Sequence, residues 1–225
     1  MSFYTNVKAV GSQIFLRGVD DIGERFQKKV RYSPTLFVPV KEETKYKTLE
    51  GINTKPIKPG DLRETREFMD RYKDVSNYKI FGNDNFAFAF IGDEYPDDIE
   101  YDINKLVIAN IDIEVASDEG FPHAESAASP VISIAVKFND SFYVFGFGEP
   151  EGCKIEETLK DRGIVYVSCD DERDLLDSFL HTWNEYSPDI VTGWNVSGFD
   201  IPYLYNRLCR LHDEKTARRL SPWKY

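Results

Sequence analysis

The sequence has no long apolar run and little cysteine, and each shortage excludes a class of protein. No stretch approaches the ~18 apolar residues of a membrane-spanning helix, so we expect no membrane partner. The first four residues have neither the basic nor the apolar segment of a secretion signal. Cys153, Cys169 and Cys209 lie far apart and form no Cys-x-x-Cys pair. This spacing argues against a zinc site or a disulfide framework and favours free thiols in a reducing cytosol.

Basic residues are also scarce. The chain has 28 lysines and arginines against 39 acidic residues, which gives a formal net charge of −11. Proteins contact nucleic-acid phosphates through Lys and Arg, but the charge here is uneven, with acidic stretches such as 92–98 and a mainly basic stretch over 205–225. Because a charge run is usually a solvated face, net charge neither supports nor excludes DNA binding.

Apolar material is plentiful, with 41% hydrophobic and 14% aromatic residues, so a sizeable core is expected. The length of 225 residues fits one large domain or two modest ones. The segment 92–103, which contains Asp93, Pro96, Asp97 and Asp98, is the best candidate boundary. We therefore predict two domains, residues 1–104 and residues 105–225.

The first domain is predicted to be rich in β-strands. Two strands flank the turn-rich tetrad 20–23 and predict a hairpin, because apolar and charged residues alternate along the second strand. Asp61 and Glu64 have the spacing of a helix capping box. The predicted elements are strands over 14–16, 26–32, 36–40 and 86–91 and a helix over 62–74.

The second domain is predicted to be an α/β layer built on a mixed sheet. The predicted elements are strands over 106–115, 131–136, 142–147, 163–167 and 190–194 and helices over 171–186 and 199–211. The near-continuous apolar run 106–115 predicts a strand covered on both faces. A ribonuclease H-like core has this element order, but so do other α/β domains.

Asp112 and Glu114 are the first candidates for chemistry. Residues i and i+2 of a strand point to one face, so the two carboxylates would stand side by side. Burying unpaired like charges is costly, and a divalent cation would relieve that cost. Hard oxygen ligands suit Mg²⁺ or Mn²⁺. The alternative is a strand end in solvent, where the pair has no function.

The second candidate is Asp200, in the segment Thr192-Gly193-Trp194-Asn195-Val196-Ser197-Gly198-Phe199-Asp200-Ile201-Pro202-Tyr203. The glycines allow unusual backbone conformations after a short strand, and Asp200 would lie at the start of the last long helix. The alternative is an ordinary helix N-cap, which Pro202 in the first turn also fits.

Together, Asp112-Ile113-Glu114 and Gly193-Trp194-Asn195 with Phe199-Asp200-Ile201-Pro202-Tyr203 resemble the Exo I and Exo II motifs of family B DNA polymerases. The spacing between the motifs fits as well. The resemblance to the T4-like phage type covers nearly the whole chain. It extends to Tyr32-Ser33-Pro34-Thr35-Leu36-Phe37, Phe81-Gly82-Asn83-Asp84, Gly120-Phe121-Pro122, Phe142-Tyr143-Val144-Phe145 and Ala217-Arg218-Arg219-Leu220-Ser221-Pro222.

The resemblance implies an α+β chain: a β-rich amino-terminal polymerase domain, then the first part of a ribonuclease H-like 3′→5′ exonuclease domain of the DEDD class. By position, Asp112 would bridge two Mg²⁺ or Mn²⁺ ions, Glu114 would bind one, and Asp200 would serve the other directly or through water. Phe121 would pack against the frayed 3′-terminal base, with Asn195 and Phe199 as further DNA neighbours. The alternative for Phe121 is a core or turn aromatic.

One part of the family pattern has no match. The third motif, Tyr-x-x-x-Asp, supplies a fourth carboxylate and a tyrosine that orients the attacking water, and nothing after Asp200 fits it. We therefore expect the amino-terminal portion of a phage DNA-directed DNA polymerase, whose activity needs a downstream polymerase segment or chain. The chain could be a fragment or the first piece of a split polymerase.

The expected partners are the single-stranded 3′ end, primer–template DNA, that downstream chain and phage replisome proteins, in the cytoplasm of the infected bacterial host. Two other functions stay open. The first is a non-catalytic DNA-binding or scaffold subunit of a split polymerase. The second is a free-standing DEDD nuclease, which the missing fourth carboxylate disfavours.

Overall fold

The computed structural model describes residues 2–76, 78–117, 120–148 and 163–225. They form two compact units, Met1–Lys105 and Leu106–Tyr225. Both units combine helices with sheets, which confirms the predicted α+β class. No helix in these ranges is long and apolar enough to cross a membrane. Cys169 and Cys209 are free thiols, and Cys153 lies outside the described residues.

The first unit contains two three-stranded sheets, ordered β1-β2-β3 and β4-β6-β5. The strands are β1 (Phe3–Val10), β2 (Gln13–Val19), β3 (Arg25–Arg31), β4 (Leu36–Pro39), β5 (Tyr46–Lys47) and β6 (Asn53–Ile57). The helices are α1 (Leu62–Tyr72) and α2 (Phe86–Glu94), followed by a 3₁₀ turn (Ile103–Lys105).

Local sequence signals account for much of this unit. The predicted hairpin is confirmed: β2 pairs antiparallel with β3, and the Asp20 carboxylate closes the turn by accepting from the N–H groups of Ile22 and Glu24. The capping box is confirmed too. The Asp61 carboxylate accepts from the Glu64 N–H, and the Glu64 carboxylate accepts from the Asp61 N–H.

The predicted strand over 86–91 is wrong, because these residues form helix α2. The Phe-Ala-Phe-Ala-Phe alternation matches a strand, but Phe86 and Phe90 are also one helical turn apart. Both are buried against Ile14, Leu16 and Leu62, while Phe88 is 63% exposed. Asn85 caps the helix by accepting from the Phe88 N–H.

The second unit is built on a five-stranded mixed sheet, ordered β10-β9-β8-β7-β11. The central strand β8 pairs antiparallel with both β7 and β9. At the two edges, β10 runs parallel to β9 and β11 runs parallel to β7. The strands are β7 (Ile108–Val115), β8 (Val131–Phe138), β9 (Ser141–Phe147), β10 (Ile164–Cys169) and β11 (Ile190–Thr192). The helices are α3 (Glu172–Tyr186), α4 (Asp200–Leu211) and α5 (Glu214–Ala217), followed by a 3₁₀ turn (Arg218–Leu220).

Strand β7 lies inside the sheet, between β8 and β11. Its alternate residues Ala109, Ile111 and Ile113 are buried in the core of the unit, together with apolar residues of α3 and α4. The intervening Asn110, Asp112 and Glu114 are exposed. The prediction that this strand is covered on both faces is therefore wrong, since its polar residues all fall on one open face.

Candidate active site

Asp112 and Glu114 stand on the exposed face of β7, on either side of Ile113 in the sequence. β8 pairs with this strand along its length, from Ala109 to Val115. On the other edge β11 pairs only with residues 108–110. Sheet pairing on that edge therefore stops just before the two carboxylates.

Asp200 lies where the pairing stops. Its Oδ1 accepts a hydrogen bond from the backbone N–H of Ile113 at 3.1 Å, and its side chain is nearly inaccessible, with 3% of the residue exposed. Because Ile113 separates Asp112 from Glu114, this bond brings a third carboxylate to the pair. The N-cap interpretation of Asp200 is wrong: Phe199 is the N-cap of α4, and no side chain caps the helix there.

The surroundings of Asp200 disfavour its charge. Burial raises the pKa of Asp200, hydrogen bonds from the backbone N–H groups of Asp200 and Ile113 partly offset that rise, and the nearby Asp112 adds to it. The net pKa is raised. A bound cation would act in the opposite direction, because it favours the ionised carboxylate.

The turn between β11 and α4 depends on a close approach by Gly193. A Cβ atom at this position would lie 2.4 Å from the Ile111 carbonyl oxygen, so a side chain would push the turn off β7. Asn195 adopts the left-handed conformation (φ 53°), and its carbonyl accepts from the N–H groups of Gly198 and Phe199, each at 2.9 Å. The turn thereby determines where α4 begins and hence where Asp200, the first residue of the helix, is placed.

Three aromatic rings next to this turn form a row that runs from the protein surface into the core. Phe121 is 76% exposed, so it is not a core residue, and its ring centroid lies 5.1 Å from that of Phe199. Phe199 in turn lies 5.3 Å from Tyr203, which is fully buried. Phe121 therefore packs against the ring of Phe199, while most of the Phe121 side chain stays accessible to solvent.

Comparison with known proteins identifies the family of this chain. Residues 87–223 match the family described as DNA polymerase family B, exonuclease domain. This chain belongs to the family B DNA polymerases. The DNA-directed DNA polymerase of Escherichia phage RB69 is 36% identical and that of Enterobacteria phage T4 is 33% identical, each over 98% of this chain. The matched region is 27% and 26% of those relatives, so the chain spans about a quarter of their length. The resemblance to the T4-like type is thus confirmed.

Whether the candidate site could bind a metal ion depends on which donor atoms it offers and where they lie. Asp112, Glu114 and Asp200 offer the hard oxygen atoms that Mg²⁺ and Mn²⁺ prefer, and the Ile113 bond places Asp200 against the backbone between the other two residues. Across the described ranges, however, no group of three His, Cys, Asp or Glu side chains is arranged to hold a metal ion. Asp112 and Glu114 are exposed, so cation binding at this place would require a change in their side-chain rotamers.

Sequence reasoning missed two features of the site. The first is the Ile113 N–H, which binds Asp200; only the short length of β11 could have signalled it. The second is a set of polar residues on α4 that bind the connection between β7 and β8. Their helical spacing was a usable signal, since positions 203, 206, 207 and 210 share one helix face.

Proposed function

We propose that this family B polymerase chain supplies the metal-binding face of a 3′→5′ proofreading exonuclease, which removes nucleotides from the 3′ end of DNA. The observation that carries the proposal is the hydrogen bond from the Ile113 N–H to Asp200. It holds Asp200 against the backbone between Asp112 and Glu114, which supports the proposal that the Exo I and Exo II carboxylates act at one place. The second unit would be the first part of a ribonuclease H-like domain (residues 105–225) and the first unit the polymerase amino-terminal domain (residues 1–104).

In the proposed site, Asp112 and Glu114 would hold Mg²⁺ or Mn²⁺ from the open face of β7, with Asp200 at the strand edge. Two such ions would stabilise the charge on the attacking and leaving oxygens when the 3′-terminal phosphodiester is hydrolysed. The chain itself contributes the fixed positions of the carboxylates. Asp200 is fixed most firmly, because it is buried and bonded to the strand backbone.

The same site suggests how a strand end is held. Phe121 presents an exposed ring braced by Phe199, and an unpaired terminal base can stack on such a ring whatever its identity. Asn195 is exposed in the turn that leads to Asp200, where its amide can contact the sugar–phosphate backbone. A single-stranded 3′ end, frayed from a primer–template duplex, is therefore the proposed substrate.

We also propose that full activity requires residues from the rest of a polymerase. The proposed site has the three carboxylates of Asp112, Glu114 and Asp200, and it would be completed by a fourth ligand and a group that orients the attacking water. The proposed partners are accordingly a downstream polymerase segment or chain, primer–template DNA and phage replisome proteins, in the cytoplasm of the infected bacterial host. A non-catalytic DNA-binding scaffold is the second candidate, and it is favoured by the lack of a ready three-ligand cation site among the described residues.

Manganese binding separates the two candidates. We expect Mn²⁺ to broaden the nuclear magnetic resonance signals of β7 and of the start of α4, and the broadening to disappear in Asp112→Asn. Asp140→Asn is the matched control, because Asp140 is an exposed carboxylate in the turn between β8 and β9. Broadening that survives Asp112→Asn unchanged, or that is absent from the wild-type chain, would exclude the metal site and favour the scaffold.

A further inference from the structure

The connection between β7 and β8, residues 116–130, carries Phe121 and is here called the Phe121 loop; residues 118 and 119 lie outside the described part. Its base is closed by a hydrogen bond from the Ala116 N–H to the Pro130 carbonyl at 2.9 Å. Near its far end Ala127 is fully buried with φ of 41°, a conformation that L residues rarely adopt. A backbone of this kind needs support from outside the loop.

Helix α4 provides that support through one face. Four of its side chains donate hydrogen bonds to backbone carbonyl groups of the Phe121 loop, and buried carbonyl groups need such donors. The bonds are Tyr203 Oη to Ser129 O at 2.8 Å, Asn206 Nδ2 to Ala124 O at 2.9 Å, Arg207 Nη1 to Ala127 O at 3.0 Å and to Ala128 O at 2.8 Å, and Arg210 Nη1 to Ser126 O at 3.2 Å.

Arg207 is the centre of this set and is only 7% exposed. Its guanidinium binds Glu172 through two parallel bonds, Nε to Oε1 at 2.7 Å and Nη2 to Oε2 at 2.6 Å. Glu172 Oε1 also accepts from the Val131 N–H, at the point where the loop enters β8. One largely buried ion pair therefore links α3, α4, β8 and the loop, because the planar guanidinium fork can donate to several partners at once.

We infer that the Arg207–Glu172 pair positions the Phe121 loop, so that Phe121 is held against Phe199 and an unpaired 3′-terminal base is bound more firmly. Neither residue is placed to touch the reacting atoms, so both are positioning residues. The inference rests on the proposed function only for the identity of the bound base. The placement of Phe121 is a separate property that can be measured without DNA.

The first test measures that placement in the 225-residue chain. A trifluoromethyl-phenylalanine is incorporated at position 121 only, and its fluorine resonance is recorded. The ring of Phe199 should shift this resonance, and Phe199→Ala gives the unshifted reference. We expect Arg207→Lys and Glu172→Gln to move the resonance at least halfway toward that reference.

Arg218→Lys is the matched control, because Arg218 forms an exposed ion pair with Glu214 and should leave the resonance unchanged. Circular dichroism establishes that each variant is folded. If Arg207→Lys does not fold, Tyr203→Phe replaces it, since this change removes only the hydroxyl that binds the Ser129 carbonyl. A resonance that stays in place in every folded variant overturns the inference, whatever the chain does with DNA.

The second test measures binding of a single-stranded oligonucleotide with a 3′-terminal 2-aminopurine, without divalent cations. We expect Phe121→Ala to weaken binding by about 5- to 150-fold, the range of one base–aromatic stack. Arg207→Lys should give a similar loss and Arg218→Lys none. The inference is overturned if Phe121→Ala weakens binding whereas Arg207→Lys, with a fluorine resonance that shows a displaced Phe121, binds the oligonucleotide as tightly as the unmodified chain does. If Phe121→Ala has no effect, the proposed DNA contact fails, and the fluorine result alone decides the positioning role.

Discussion

Asp200 illustrates how much a single side chain contributes to two different properties. Its Oδ1 accepts from the Ile113 N–H, which lies beyond the last residue that pairs with β11, while its charge is disfavoured by burial and by Asp112. The hydrogen bond serves the fold and the charge serves the proposed metal. These two contributions can be separated by changing one atom.

We predict that Asp200→Asn keeps the stability of the chain but abolishes Mn²⁺ binding. Asparagine retains an acceptor for the Ile113 N–H and removes the buried negative charge. Asp200→Ala leaves that N–H unpaired and should lower the free energy of unfolding by ~1–3 kcal/mol. Urea unfolding with a chelator present gives the comparison. An asparagine variant less stable than the alanine variant would contradict this account.

At the scale of elements, the secondary structure predicted from the sequence differs most from the structure at α2, where a strand was predicted and a helix is found. Its alternating phenylalanines fit a strand, and only the core around Ile14 and Leu62 selects Phe86 and Phe90 over Phe88. A strand would instead put all three rings on one face. The two conformations therefore predict different costs for the same substitution at neighbouring positions.

We predict that Phe86→Ala lowers the free energy of unfolding by about 3–5 kcal/mol, whereas Phe88→Ala changes it by no more than about 0.5 kcal/mol. Phe86 is 2% exposed and Phe88 is 63% exposed. Chemical denaturation followed by circular dichroism measures both variants, with each compared to the unmodified chain. Equal losses at the two positions would indicate a strand.

Elements with strong local signals could be predicted, and those decided by tertiary contacts could not. The capping box of α1 and the hairpin of β2 and β3 are local, and both are confirmed. The long apolar run of β7 suggested burial on both faces, because the sequence does not show which side is covered by helices. A common site for Asp200, Asp112 and Glu114 was expected from family resemblance, but the hydrogen bond from the Ile113 N–H to Asp200 depends on where β11 ends.

At the scale of the whole molecule, the decisive fact is that the chain spans about a quarter of the length of its phage relatives. We predict that this chain alone digests single-stranded DNA slowly or not at all. Loss of one metal ligand should cost at least the ~10–100-fold of a disturbed supporting shell. Adding the remainder of a polymerase should restore Mg²⁺-dependent digestion from the 3′ end.

A labelled oligonucleotide incubated with this chain, with the remainder, and with both tests that prediction. Asp112→Asn should abolish the digestion by the mixture, and Asp140→Asn should preserve it. Rapid digestion by the chain alone, lost in Asp112→Asn, would mean that a residue already in this chain completes the site. A mixture that digests nothing would favour the scaffold function.

The brevity of β11 has a consequence for how such a site can be lost or gained. With only three residues, the strand runs out before it reaches the Ile113 peptide, and an acidic side chain takes the place of a neighbouring strand. If β11 continued in register past Gly193, its backbone carbonyls would compete for that N–H and displace Asp200. The proposed nuclease chemistry is therefore sensitive to strand length: a short insertion would abolish it even if every acidic residue remained in the gene.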